Sequence, residues 1–254
     1  MKIGLQTNVF TSEMHQQKFA EMLATIKHTG YDGFEIGVQR VDLSDAAQFR
    51  AQVADAGLET AGIHTHFRLD QPDWIDGAEA YVQRSAEFAA AVNAPYLPMS
   101  GRRMIKTDEQ LALMADLLNN FGRIAATNGL RFCYHHHDWE LADDWRELRF
   151  LMANTDPDYV GILSDIGWII KAGQTISDVL DAYGNRIVTF HVKDAPADGW
   201  FTELGKGIVP LDEFFDKLPT VNPDWLIVER DEPLEHAEQS ATACRDHLRT
   251  TFGV

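Results

Sequence analysis

Short runs of strand-forming, largely apolar residues recur along the chain and alternate with longer stretches of helical period. The first run, 2–8, sets Ile3 and Leu5 against Gly4 and Gln6. It is followed at 13–29 by Phe19, Met22, Leu23 and Ile26 at i, i+3, i+4 and i+7, one apolar face of a helix that Gly30 ends. Further strand runs are predicted at 33–37, 60–66, 95–100, 130–136, 160–166, 187–194 and 224–230. Between them, helices are predicted from a Ser44 N-cap to Ala56, over 76–92, over 108–128 and, last, over 234–250. Strands divided by helices, with no connection of hairpin length, imply parallel pairing through right-handed crossovers. Eight such units in 254 residues fit a single (β/α)8 barrel over 1–254. A doubly wound open sheet is the rival, but no G-x-G-x-x-G follows an early strand.

Charge narrows the range of partners. With 22 basic against 39 acidic residues the net charge is −17, which excludes a general phosphate-backbone binder and so nucleic acid as a partner. No apolar run approaches the ~20 residues of a membrane-spanning helix. The start, MKIGLQTNVF, lacks the layout of a secretory signal and reads as a strand. Cys133 and Cys244 are too few for a disulfide framework or a thiolate metal cage. A cytoplasmic chain with a small-molecule ligand is expected, and a homo-oligomer is compatible with it.

In a parallel barrel the site forms at the carboxyl ends of the strands. Those ends carry His64 and His66; His135, His136 and His137 with Asp138 and Glu140; Asp165; His191 and Lys193; and Glu229 with Asp231. Glu35 in the second run is a further candidate. Strand parity places Leu163 on the face of Asp165 and Ile227 on the face of Glu229, so each carboxylate points into the barrel beside apolar neighbours. Buried, unpaired carboxylates are costly. A divalent cation held by Asp165, His191 and Glu229 answers that cost, and a hydrogen-bonded polar plug is the alternative. The pair His64 and His66 suits a substrate pocket or a metal. By the same parity His135 and His137 face one side and His136 the other. Lys193 could reach an anionic or carbonyl group or lie solvated at the rim. Trp139 and Trp168 flank the site and could stack on a sugar face. The glycine-bearing run 199–207 would be either a mobile loop over the mouth or a connecting turn.

The segments YHHHDWEL, LSDIGWIIKAG, FHVKDA, ELGKGIVPLDEF and LIVERDEP follow in order at barrel-strand spacing. With IGLQTNVF and GYDGFEIG near the start, they resemble the xylose-isomerase-like TIM barrels, and within them the sugar phosphate isomerase/epimerase branch. The resemblance implies one divalent metal ion, Mn2+ first, with Mg2+, Co2+ or Zn2+ as alternatives. It would be held by acidic and histidine ligands from the last four strands: Asp165, His191, Glu229 and, from the fifth-strand segment, Glu140, with His137 as the other choice. Many relatives carry a glutamate within the fifth strand, where this chain has Tyr134 and His135. That departure bears on any transfer of a two-glutamate mechanism.

The expected activity is isomerisation or epimerisation of a sugar or keto-sugar. The cation would acidify a C–H beside a carbonyl, and Glu229 and Glu140 would act as the proton-transferring pair. His64, His66, His135, His137, Trp168 and Lys193 would contact substrate. The alternative is a lyase, a dehydratase or a keto-glycoside-cleaving enzyme, which shares the first proton abstraction. A non-catalytic sugar-binding barrel and an endonuclease-type relative are the remaining readings.

Overall fold

The computed structural model describes residues 1–104 and 106–254. Eight strands, β1 (Lys2–Gln6), β2 (Gly33–Gly37), β3 (Glu59–His66), β4 (Tyr96–Ser100), β5 (Arg131–His135), β6 (Gly161–Asp165), β7 (Ile187–Val192) and β8 (Trp225–Val228), pair in parallel in chain order. The pairing of β1 with β8 closes the barrel. It is a single (β/α)8 barrel, as the alternation of periods predicts.

Each strand has two buried faces. Ile3 and Leu5, Phe34 and Ile36, Phe132 and Tyr134, and Leu226 and Val228 point outward into one apolar layer shared with the helices. A separate cluster fills the barrel interior: Ala61, Tyr96, Cys133, Leu163, Val188, Trp225 and Ile227. Each large apolar side chain so buried contributes about 1.5–3 kcal/mol. Directly above this apolar plug, towards the strands' carboxyl ends, the inward positions turn polar. Asp165 follows Leu163 and Glu229 follows Ile227 at the i+2 spacing expected.

In two strands the spacing is three instead. Opposite the step Phe34/Glu35 of β2, β3 carries one extra residue, and opposite Ile162/Leu163 of β6, β7 does the same. These bulges reset the parity, so that Ala61 and His64 both face inward, as do Val188 and His191.

Helix positions depart from expectation chiefly at their ends. The first predicted helix is two, Ser12–Gln16 and Phe19–His28. The cap expected of Ser44 belongs to Asp45, whose carboxylate accepts the Gln48 N–H at 2.9 Å and starts Ala46–Asp55. Four helices not predicted, Ala142–Asn154, Ile166–Lys171, Ile176–Tyr183 and Leu211–Lys217, complete the layer around β6 and β7. Three of them have eight residues or fewer, where periodicity has little room to show, and the fourth, Ala142–Asn154, is interrupted near its start by positive φ at Asp143, Asp144 and Trp145.

Candidate active site

At the carboxyl end of the barrel, His135, Asp165, His191 and Glu229 bring one ligand atom each to within 4.8 Å of one another. All four are buried. Asp165 uses its two oxygens differently. Oδ1 accepts the Trp168 N–H at 3.0 Å, capping Ile166–Lys171. Oδ2 turns inward, 3.1 Å from His135 Nε2 and 2.9 Å from Lys193 Nζ. His191 also works at both ends: Nε2 lies 3.0 Å from Glu35 Oε1, and Nδ1 lies 2.6 Å from Glu229 Oε2. Gly167 permits this crowding, since a Cβ there would come within 2.6 Å of Lys193 Cβ.

The charges set each other's protonation. Burial opposes ionisation of Glu35, but His191 and His64 beside it outweigh burial and hold its carboxyl at about 2. His191 is disfavoured as a cation by burial, and Glu229 and Glu35 nonetheless raise it to about 10. Lys193 is pushed upward by Asp165, Glu229 and Asp231, again against its burial. Its Nζ sits 2.8 Å from Glu229 and 2.7 Å from Asp231. Asp231 moves the other way. Burial raises its carboxyl to about 6, with Lys193 opposing the rise. His135, by contrast, is held well below its ordinary value by burial and by His137 and His191, and so is neutral.

This donor set fits a divalent cation. His191 Nδ1 and Glu229 Oε2 are buried and close together, yet neither completes a directed hydrogen bond. The opposite nitrogen of His191 is oriented by a carboxylate, the arrangement that holds metal-ligating imidazoles in place. Over residues 23–250 the sequence matches the family described as xylose isomerase-like TIM barrel. The chain belongs to that family.

Among relatives of this xylose isomerase-like barrel, an inosose dehydratase of Bacillus anthracis (strain CDC 684 / NRRL 3495) is 30% identical, over 94% of this chain and 91% of its own. A sugar phosphate isomerase/epimerase from Parabacteroides distasonis superposes with a TM-score of 0.81 at 19% identity, covering 98% of this chain and 94% of the other. The IOLI protein, solved with a bound zinc atom, superposes with a TM-score of 0.76 at 16% identity over 98% and 97% of the two chains. The family is one of carbohydrate-related enzymes.

The xylose isomerase-like barrel does not bring Glu140 to the donor group; His135 stands there instead. The regular strand ends at His135, and the turn Trp139–Leu141 swings Glu140 away. There it accepts the Tyr134 hydroxyl at 2.7 Å and the His137 N–H at 2.8 Å. His137, the other choice for that position, is likewise outside the group of four and stacks on Trp139 with ring centroids 4.0 Å apart.

A cavity of about 190 Å3 opens above the group, walled by His64, His66, His135, His137, Ser100, Glu229 and Asp231 among others. Trp168 is not on its wall and packs against Ala195 and Phe201. Lys193 is fully buried, not a rim residue. His136 faces away, as parity predicts, accepting the Asp165 N–H on Nε2 at 3.3 Å. Arg102 and Arg103 pair with Asp70 and Asp138 at the surface. The far part of the run 199–207 is a pinned turn. Asp194 accepts the N–H groups of Gly205 and Gly207 on one oxygen and those of Ala195 and Val209 on the other.

Three residues escaped the sequence reading. Ser100 Oγ lies 3.0 Å from His64 Nε2, Gln6 donates to Glu35, and Asn8 donates to Glu229 at 3.3 Å. Serine, glutamine and asparagine at strand ends carry no signal that separates them from ordinary turn residues.

Proposed function

We propose that this chain is a divalent-metal-dependent lyase that removes water from a cyclic keto-polyol of the inosose kind. The observation that carries the reading is the placing of the cavity's carboxyls. Glu229 and Asp231 both come from the end of β8, while the walls from β3, β4 and β5 offer histidines and a serine. Elimination needs a base at the C–H beside the carbonyl and an acid at the departing hydroxyl, and one wall supplies both. The inosose dehydratase name of the relative at 30% identity supports the same outcome.

His135, Asp165, His191 and Glu229 are the residues that would hold the cation. When bound, it would polarise the substrate carbonyl and stabilise the negative charge that develops there. Two imidazoles with two carboxylates make a softer set than one with Glu140, which shifts the preference from Mg2+ towards Mn2+, Co2+ or Zn2+. Glu229 takes the proton from the carbon beside the carbonyl. Asp231 gives a proton to the hydroxyl that leaves as water. Lys193, fixed between the two, keeps both carboxylates oriented. His64, His66 and His137 bind and orient substrate hydroxyls.

Isomerisation or epimerisation is the second reading, favoured by one feature: His66 on the β3 wall of the cavity, outside the group of four, is able to return a proton from a side other than that of Glu229. Incubating the metal-loaded protein with an inosose in D2O separates the readings. Loss of one water to an enol that tautomerises to a saturated cyclic 1,2-diketone, with metal-dependent C–H exchange, is expected. Exchange with an epimer and no loss of water would establish the second reading. No exchange of any of the C–H groups would leave a sugar-binding barrel.

A further inference from the structure

A long lysine stem ordinarily carries its ammonium out to water, and lysines are almost never fully buried unless paired. Lys193 is fully buried at the barrel mouth. It follows His191 by two residues at the end of β7, so the strand directs both side chains inward. Its stem passes Gly167, where a Cβ would come within 2.6 Å of Lys193 Cβ. The Phe201 and Trp168 rings, 4.7 and 5.4 Å from Nζ, cover the ammonium on the side away from the carboxylates.

What the ammonium touches is the informative part. Nζ lies 2.9 Å from Asp165 Oδ2 and 2.8 Å from Glu229 Oε2. These are the oxygens that face the imidazoles of the donor group, at 3.1 Å from His135 Nε2 and 2.6 Å from His191 Nδ1. Asp165 spends its other oxygen on the Trp168 N–H, so the oxygen it has left for a cation is the one beside Nζ. The directed hydrogen bond of the ammonium goes elsewhere, to Asp231 Oδ1 at 2.7 Å, and Asp231 is outside the group of four. Glu229 Oε2 has no directed partner and is held by charge and proximity. Lys193 therefore shares two ligand oxygens with the cation while it is anchored on a carboxylate that the cation does not need.

We propose that Lys193 is a built-in competitor for the divalent cation. In the metal-free protein its charge balances Asp165 and Glu229, which would otherwise be costly buried anions, so the barrel mouth folds before it is loaded. The same charge weakens the hold of those oxygens on the ion, so the ion is taken up reversibly. The proposal rests on the reading of the four donors as a cation site, and not on the reaction that follows.

The test compares wild type with Lys193→Met, which keeps the length of the stem and removes the charge. Both proteins are stripped with EDTA, titrated calorimetrically with Mn2+, and melted with and without Mn2+. Two changes of opposite sign are expected. The metal-free variant should melt at least ~10 °C below metal-free wild type, or fold only with Mn2+ present. It should nevertheless bind Mn2+ ~30-fold or more tightly. A lysine that only supports the fold would lower both stability and affinity. Mn2+ binding by the folded variant that is equal to or weaker than wild type overturns the proposal, and so does a metal-free variant as stable as wild type. If the variant folds in neither condition, a crystal structure of Mn2+-loaded wild type decides. Nζ is expected to release at least one of Asp165 Oδ2 and Glu229 Oε2 and to keep Asp231. An ammonium still within ~3.2 Å of both ligand oxygens beside the ion overturns the proposal. No uptake of Mn2+ or Zn2+ by either protein defeats the cation-site reading itself, whereas equal uptake by both defeats the competition alone.

Discussion

On the β1–β4 half of the barrel mouth, polar side chains pass hydrogen bonds from one to the next. Gln6 donates to Glu35, Glu35 Oε1 lies 2.8 Å from His64 Nδ1, and His64 Nε2 lies 3.0 Å from Ser100 Oγ. On the β5–β8 half, His191 Nδ1, His135 Nδ1 and Glu229 Oε2 are buried without such partners, beside a fully buried lysine. Both halves are dry, so solvation does not separate them. The first half passes its hydrogen bonds along a chain that leaves Glu35 Oε2 over, and in the second the candidate ligand atoms themselves, His191 Nδ1 and Glu229 Oε2, lack directed partners. Satisfied groups hold a shape, whereas stranded donors and acceptors await a ligand. Glu35 joins the halves, since the oxygen that faces His64 also faces His191.

Changes on the β5–β8 half should have the largest effects. Asp165→Ala is expected to abolish stoichiometric binding of a divalent cation, read by elemental analysis, and to lower turnover at least ~1,000-fold, the scale of losing several kcal/mol of charge stabilisation. Unchanged stoichiometry would erase the distinction between the halves. Glu229→Gln should keep most of the metal, because an amide still offers an oxygen, yet lose at least ~100-fold in turnover because it accepts no proton. Turnover within a few-fold of wild type would move the base to another residue.

A smaller effect is expected from the β1–β4 half. Glu35→Gln should weaken metal affinity ~10–100-fold by releasing the His191 ring, with turnover per metal-loaded molecule little changed. A loss in turnover at full metal occupancy would make Glu35 part of the chemistry.

Within one turn of chain, His136 and His137 repeat the comparison. His136→Ala strands the Asp165 N–H and should cost about 1–3 kcal/mol of stability with turnover per folded molecule within a few-fold. His137→Ala, on the cavity wall, should show the reverse order, in thermal melts set against kinetics.

The smallest predicted effect is a pH dependence of stability. Burial lowers His66 and His136 from 6.5 to about 4, and His135 further. The unfolded chain therefore binds protons near pH 6.5 that the folded chain refuses. Stability from these groups is complete above pH 6.5 and declines towards pH 4. Asp231, raised from 3.8 to about 6, acts in the opposite direction over that window, and three histidines outweigh it. Glu35 and Glu140, held at about 2, add losses only below about pH 4.5. Melting temperatures that stay flat from pH 7 to 4.5 would contradict the buried, neutral state of the histidines.

What the chain carries locally was legible without coordinates. Period-2 and period-3.6 patterns are written into neighbouring residues, so the eight strands, their order and the barrel follow from spacing alone. The faces of Asp165 and Glu229 follow too, because β6 from Leu163 and β8 are regular enough for an i+2 rule. Three things were decided only by the closed barrel. Bulges in β3 and β7 put His64 and His191 on the inner face three residues after interior Ala61 and Val188, and a bulge is set by pairing with a neighbour, not by the strand's own residues. The exchange of Glu140 for His135 depends on where β5 stops and a tight turn begins, beyond which parity has no meaning. The placing of Trp139 and Trp168 together, off the wall of the metal cavity, comes from the turn after β5 and the helix after β6 meeting in space. Short-range periodicity records which face a residue takes along its own strand. Which atoms converge on one point depends on strand register and loop docking, and these are properties of the barrel only once it has closed.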